Sequence, residues 1–174
     1  MKKIHFSSTA FILFIFIFFT DSTQSQEETK YQYKGAEKCG ATCHKKKEMG
    51  NQYNTWKESP HSKAFTILSS EKAKLYADNA GIEENPAESA VCLKCHVTGG
   101  GLDESYFTAT FKKEDGITCE ACHKREYAQK TFLPKEEDCL KCHDNSVHPV
   151  PEFDFEDRCG KIAHPRPKEK SRKK

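Results

Sequence analysis

The sequence is short of the residues that build a protein interior. After its first 25 residues, Ile, Leu, Val and Phe together account for 20 of 149 positions, about 13%, whereas a self-sufficient globular core needs roughly 20% or more. The chain also lacks the strong net charge of disordered proteins, since its formal charge is +2. This balance gives no support to nucleic-acid binding. We therefore expect an added apolar group to complete the interior.

Long apolar runs are scarce as well. The only one, residues 10–19, follows the basic start Met1-Lys2-Lys3 and precedes a polar stretch. Ten apolar residues are fewer than the ~20 that span a bilayer, and the arrangement is typical of a secretory signal peptide. We expect residues 1–25 to be cleaved, leaving a periplasmic or otherwise extracytoplasmic protein without stable membrane insertion. At 174 residues, the chain is also too short for a large multidomain enzyme.

Cysteine is abundant, and its arrangement is regular. Eight of the nine cysteines form four pairs, and a histidine directly follows each pair. The pairs are Cys39 and Cys43 before His44, Cys92 and Cys95 before His96, Cys119 and Cys122 before His123, and Cys139 and Cys142 before His143. Two residues separate the cysteines in three pairs, and three residues separate them in the first. Only 8 of 174 residues are histidine. Chance does not explain a histidine directly after each of four cysteine pairs, so the histidine belongs to the motif.

Cys-x-x-Cys-His is the attachment motif of c-type haem. The two thiols add to the two haem vinyl groups, and the adjoining histidine becomes the proximal ligand of the iron. Four covalently attached haem c groups would supply the apolar surface that the composition lacks. The sequence therefore predicts a tetrahaem c-type cytochrome in which the eight paired cysteines bind haem and the four motif histidines bind iron.

Other uses of paired cysteines leave the histidines unexplained. Disulfides are common in exported chains, but Cys-x-x-Cys bridges are redox-active rather than scaffolding. A zinc ribbon could use the second and third pairs, which 23 residues separate. Thioredoxin-like chemistry needs one such motif on a βαβ frame, and the sequence shows no such pattern.

The remaining histidines are candidates for the distal iron ligands. Beyond the predicted signal peptide these are His61, His148 and His164. Three ligands cannot complete four six-coordinate irons, so either one haem is five-coordinate or Met49 or Cys159 fills the place. His148 could instead be an exposed loop histidine. Cys159 could also form an intermolecular disulfide or remain a free, buried thiol.

Three units are expected along the chain: the signal peptide over residues 1–25, the tetrahaem domain over residues 26–165, and a basic tail over residues 166–174. Within the domain, the pattern predicts a helix over residues 45–58 and a short strand over residues 106–111. The tail has six basic residues and one acidic residue. It is expected to be solvated and disordered, although an acidic redox partner or a membrane surface could dock there.

With these residues assembled, the chain resembles the cytochrome c-554 family of periplasmic tetrahaem cytochromes. The likeness is carried by residues 33–64, with the first motif and His61, by residues 92–101 and 116–123, with the second and third motifs, and by residues 139–143 and 162–164. There are two departures. The first motif has an extra residue, and the family's distal histidine between the third and fourth motifs is missing, so His148 could substitute for it.

The resemblance implies a mainly α, small multihaem cytochrome c fold with little or no sheet, in which haems stacked in close pairs form the core. It also implies three bis-histidine haems and one five-coordinate haem, placed on His96 by analogy. The implied function is electron transfer between redox protein partners, a periplasmic dehydrogenase and a quinone-linked or terminal acceptor, with no catalytic residue. The alternative is a haem enzyme that reduces a small nitrogen or oxygen species at the five-coordinate haem.

Overall fold

The computed structural model describes residues 31–40, 44–123, 134–149 and 151–165. The predicted signal peptide, the predicted basic tail and Cys43 lie outside these residues. The α-helices are α1 (Ala36–Cys39), α2 (Gln52–Glu58), α3 (Glu71–Asn79), α4 (Ala90–His96), α5 (Cys119–Cys122), α6 (Glu136–Cys139) and α7 (Phe155–Ile162). Five 3-10 helices lie between them: Lys47–Met49, Pro60–Lys63, Thr66–Ser69, Glu104–Tyr106 and Lys113–Asp115. The described chain forms no sheet, and the prediction of a mainly helical fold is confirmed.

The helices are short, and each haem motif starts within one of them. Cys39 ends α1, Cys139 ends α6, and the second and third motifs lie on α4 and α5. Helices of one or two turns are marginal in isolation, so their stability comes from tertiary contacts. The longer helices carry local caps: the Ser70 side chain accepts a hydrogen bond from the backbone of α3, and the Asp154 side chain does so for α7.

The single helix predicted over residues 45–58 is wrong. Gly50 and Asn51 both adopt left-handed backbone conformations, with φ of 103° and 53°, and separate the 3-10 helix from α2. The carbonyl of Pro165 packs directly against Gly50, where any side chain would collide with it. Gln52 donates a hydrogen bond to the same carbonyl over 3.4 Å. The break therefore lets the segment that carries His164 approach the segment that follows the first motif.

The predicted strand over residues 106–111 is reduced to one bridge. Tyr33 pairs with Phe107 in a parallel bridge, and its backbone hydrogen bonds run to Tyr106 and Thr108 at 2.7 and 3.0 Å. The Tyr33 and Phe107 rings stack at 5.6 Å, and Phe111 joins them at 4.5 Å from Phe107. These aromatic contacts hold the segment before the first motif against the segment before the third.

The apolar interior of the described chain is small. Its buried hydrophobic residues are Ala36, Tyr53, Leu68, Ala77 and Val97. Large apolar side chains remain accessible, including Ile67 at 57% and Val91 at 47%. This distribution agrees with the scarcity of apolar residues in the sequence. None of the described helices has the length and apolarity needed to cross a membrane.

Candidate haem-binding sites

Histidines face one another in three pairs. The ring centroids of His61 and His143 lie 6.2 Å apart, those of His96 and His148 lie 6.1 Å apart, and those of His123 and His164 lie 5.8 Å apart. Each pair joins one motif histidine to one of the three histidines predicted as distal ligands. The fold therefore gives each distal candidate a different motif partner.

These separations fit a metal ion held between two imidazoles. A ligating nitrogen lies about 2 Å from its metal and the ring centroid roughly 1 Å further back, so two opposed rings have centroids about 6 Å apart. Within the three pairs, the histidine rings are tilted by 37–56° to one another. The donor set and its spacing thus fit the bis-histidine coordination of a haem iron.

His96 and His148 are both oriented by neighbouring groups. His96 Nδ1 lies 2.6 Å from the carbonyl oxygen of Ala64. Because a carbonyl can only accept, Nδ1 carries the proton, which leaves the lone pair of Nε2 able to bind a metal. Burial lowers the pKa of His96 and favours the neutral ring that binds metals. On the opposite side, Tyr76 stacks on His148 at 5.2 Å with only 13° between the rings.

An apolar cavity lies beside this pair and fits a flat apolar group. It is bounded by α3, α4 and the segment after the fourth motif. Most of its lining is apolar or belongs to the motifs: Ile67, Leu68, Ala73, Tyr76, Ala77, Pro86, Val91, Cys92, Cys95, His96, Cys142, Val147, His148, Pro149 and Pro151. Five polar residues, Ser70, Lys72, Asp144, Asn145 and Ser146, complete it. Both cysteines and the histidine of the second motif thus border the same space.

His61 and His143 form a second pair, and both are half-buried. Burial lowers the pKa of His61, and the neighbouring His143 lowers it further. Burial, followed by the charge of Arg158, also lowers the pKa of His143. Phe153 stacks on the His143 ring at 5.0 Å and 22°. Sequence reasoning missed Phe153 and Tyr76, because an aromatic residue gives no local sign that it stacks on a histidine distant in sequence.

The third pair also lies near the first motif. Burial lowers the pKa of His123, and His164 and His44 each lower it further. His44 itself is exposed, and within the described residues no ring contact joins it to another histidine. The histidines of the first and third motifs are therefore neighbours, but His44 has no facing imidazole there.

The cysteines bring the four motifs together in two groups. A hydrogen bond with Cys39, followed by burial, raises the pKa of the Cys119 thiol far above its ordinary value. Burial and a hydrogen bond with Cys95 raise the pKa of Cys142 to about 12. The first motif thus touches the third, and the second touches the fourth. These contacts differ from a zinc ribbon built on the second and third pairs, and no disulfide joins any of the described cysteines.

The backbone of residues 116–118 holds several of these elements in place. The Ile117 N–H donates to the carbonyl of His61 over 3.0 Å, and the Trp56 indole donates to the carbonyl of Ile117 over 2.7 Å. The Thr98 N–H donates to the carbonyl of Gly116 over 3.0 Å. The stretch just before the third motif is therefore bonded both to the segment that carries His61 and to the end of the second motif.

A family model described as cytochrome c554 and c-prime matches residues 38–124, half of the chain. With the motifs and the facing imidazoles, this match defines the class of the protein as a c-type cytochrome, an electron carrier with covalently bound haem c. The chain belongs to the cytochrome c554 and c-prime family. The matched region contains the first three motifs and ends before the fourth. No curated protein and no solved structure matches the chain.

Proposed function

We propose that this protein is a periplasmic tetrahaem c-type cytochrome that passes electrons between redox protein partners through closely spaced haems. The observation that carries the proposal is the set of three histidine pairs, each with ring centroids 5.8–6.2 Å apart. Each pair combines a motif histidine with a histidine from elsewhere in the chain. When bound, haem c supplies reversible one-electron chemistry at iron.

The pairs support a specific set of iron ligands. His148 would complete the site of His96, His164 the site of His123, and His61 the site of His143. In this assignment His148 is a ligand rather than a loop histidine, and the stacking of Tyr76 holds it in place. The five-coordinate iron would then belong to His44. The resemblance had placed it on His96, but His148 faces that ring at 6.1 Å.

Contacts between the motifs support particular positions for the redox centres. Contacts between Cys39 and Cys119, and between Cys95 and Cys142, support two close pairs of haems: first with third, and second with fourth. The 3-10 helix Pro60–Lys63 serves both haems of the second group. It supplies His61 to the fourth motif, and the carbonyl of Ala64 just after it orients His96. Electrons would pass within each pair and then between pairs.

Export and docking complete the proposal. Residues 1–25 would direct the chain across the cytoplasmic membrane, where the cysteines meet the machinery that attaches haem c. The tetrahaem domain would span residues 26–165. The basic tail over residues 166–174 would remain solvated, with an acidic redox partner or a membrane surface as its contact during electron transfer.

Intact mass measures the number of attached haems directly. The exported protein, made in a host that matures c-type cytochromes, is expected to carry four haem masses beyond the cleaved chain. The matched variant with Cys39→Ala and Cys43→Ala should carry three. Three haems on the unchanged protein would show that the long first motif is not used and would overturn the tetrahaem count. A protein without haem would overturn the whole proposal.

The exposed His44 favours a second candidate function, reduction of a small nitrogen or oxygen species at an open iron. We expect the reduced protein to bind about one carbon monoxide molecule per four haems, because only one iron lacks a second imidazole. The Cys39→Ala and Cys43→Ala variant should lose this binding together with its first haem. Binding that survives in the variant would place the open iron on another motif.

Turnover separates the two functions. An electron carrier should bind nitric oxide without sustained consumption when a reductant is supplied. A reductase should consume many equivalents of nitric oxide, nitrite or hydroxylamine per protein. We expect no sustained consumption, because His44 is exposed, whereas reduction of a small molecule at haem needs a distal pocket that controls access and polarity.

A further inference from the structure

Glu120 is a buried acidic residue inside the third haem motif. It lies between Cys119 and Cys122, and only 1% of its surface is exposed. Its carboxylate accepts hydrogen bonds from the Tyr31 hydroxyl at 2.7 Å, from the Lys34 N–H at 3.0 Å and from the Gly35 N–H at 2.8 Å. Glutamate is seldom buried this completely, because removing a carboxylate from water is costly.

Hydrogen bonds rather than a cation compensate this carboxylate. Among the residues that the structure describes, no lysine, arginine or histidine forms an ion pair with Glu120. Its negative charge is felt by a neighbour, since burial and then the charge of Glu120 raise the pKa of Tyr33. Glu37 provides a contrast: it is two residues from a motif cysteine, but it is exposed and paired with Lys112 at 3.2 Å.

The position of Glu120 places its charge at the junction of two motifs. The adjacent Cys119 hydrogen bonds with Cys39 of the first motif, and Glu120 itself holds the backbone of residues 34 and 35 just before that motif. Helix α5, which carries Glu120, packs against α1, which ends at Cys39. A charge at this junction acts on the first and third attachment sites more strongly than on the second and fourth.

We propose that the buried charge of Glu120 lowers the reduction potentials of the haems on the first and third motifs more than those of the haems on the second and fourth. The inference rests on the proposed tetrahaem function. One electron from a docked redox protein converts ferric to ferrous iron, which removes one positive charge from the site. A nearby buried anion stabilises the ferric form and opposes this step. Glu120 would act through its charge and through the backbone of residues 34 and 35 that it holds.

The Glu120→Gln variant tests the charge with little change in shape. One amide oxygen can accept from the Lys34 and Gly35 N–H groups, and the amide nitrogen can donate to the Tyr31 oxygen once that hydroxyl turns away. A unit charge about 10 Å away changes a one-electron equilibrium roughly tenfold at an effective dielectric constant of about 20. We therefore expect the ferrous-to-ferric ratio of the first-motif and third-motif haems to rise roughly tenfold at fixed solution potential. This corresponds to reduction potentials about 59 mV higher.

The measurement is a potentiometric titration followed by optical absorption and electron paramagnetic resonance. The high-spin signal expected from the first-motif haem identifies one member of the pair. The matched control is Glu37→Gln, for which we expect less than about a twofold change, because solvent and Lys112 already screen that charge. A change in Glu120→Gln no larger than the control, or one confined to the second and fourth haems, would overturn the inference.

A second variant keeps the inference testable if Glu120→Gln fails to fold. Tyr31→Phe retains the carboxylate but removes one hydrogen-bond donor, so the negative charge of Glu120 is less compensated. The ferrous-to-ferric ratio of the same two haems should therefore fall roughly threefold at fixed solution potential. Unchanged or higher potentials in this variant would contradict the proposed role. Intact mass is measured first on every variant: missing haems in the unchanged protein would count against the tetrahaem proposal, whereas four haems with unshifted potentials would count against Glu120 alone.

Discussion

Replacing His61 with alanine is expected to convert one haem from low-spin to high-spin. His61 faces His143 at 6.2 Å and is the only described imidazole that does so. Because three irons are proposed to have two imidazoles, the variant should lose about one third of its low-spin signal. Electron paramagnetic resonance of the oxidised protein measures this loss, and carbon monoxide binding to the reduced protein should rise from about one to about two per molecule.

Two comparisons give the His61→Ala experiment its specificity. Lys63→Ala changes an exposed residue of the same 3-10 helix and should leave the low-spin signal intact. Added imidazole should enter the site of the missing side chain and restore the low-spin signal of His61→Ala. A variant that keeps its full low-spin signal would show that another group ligates the fourth-motif iron, and the assigned pair of His61 with His143 would be wrong.

The attachment motifs could be predicted from the sequence because their chemistry is local. Two thioether bonds and a proximal ligand must lie within a few residues of one another, so the cysteines and the histidine are adjacent in the chain. A distal ligand can lie anywhere in the sequence, because only the folded chain brings it to the iron. His61 lies 82 residues before His143, and the backbone that holds it in place, through the hydrogen bond from Ile117 to its carbonyl, is also distant in sequence. Which distal histidine meets which motif is therefore a property of tertiary structure.

The helix over residues 45–58 failed for a related reason. Its side chains suit a helix, but Gly50 and Asn51 take left-handed conformations where Pro165 packs against the chain. Glycine and asparagine take such conformations more readily than other residues, but the contact with Pro165 is too distant in sequence to alter the local periodicity. The same applies to Glu120, which looks like an ordinary charged residue between two cysteines until Tyr31 and the backbone of Gly35 are seen to surround it.

Gly116→Ala is expected to destabilise the protein by about 3 kcal/mol. Gly116 has φ of +65°, which strains any residue with a side chain, and an added Cβ would lie 2.6 Å from the carbonyl oxygen of His61 and 3.1 Å from the amide nitrogen of Ala64. Both neighbours are backbone atoms, so neither can rotate away. Chemical denaturation of the haem-loaded protein, followed by circular dichroism, measures the free energy of unfolding.

Gly81→Ala is the matched control, because it separates backbone strain from collision. Gly81 has nearly the same φ, +70°, but no heavy atom within 4 Å of an added Cβ, so its alanine variant should lose only about 1 kcal/mol. The two variants should also differ at the haems. The collision at Gly116 displaces the backbone of His61 itself, so Gly116→Ala should weaken the low-spin signal of the fourth-motif haem as well as the fold. Equal stability losses for the two variants, or an undisturbed low-spin signal in Gly116→Ala, would mean that the contact between residue 116 and His61 does not position the distal ligand.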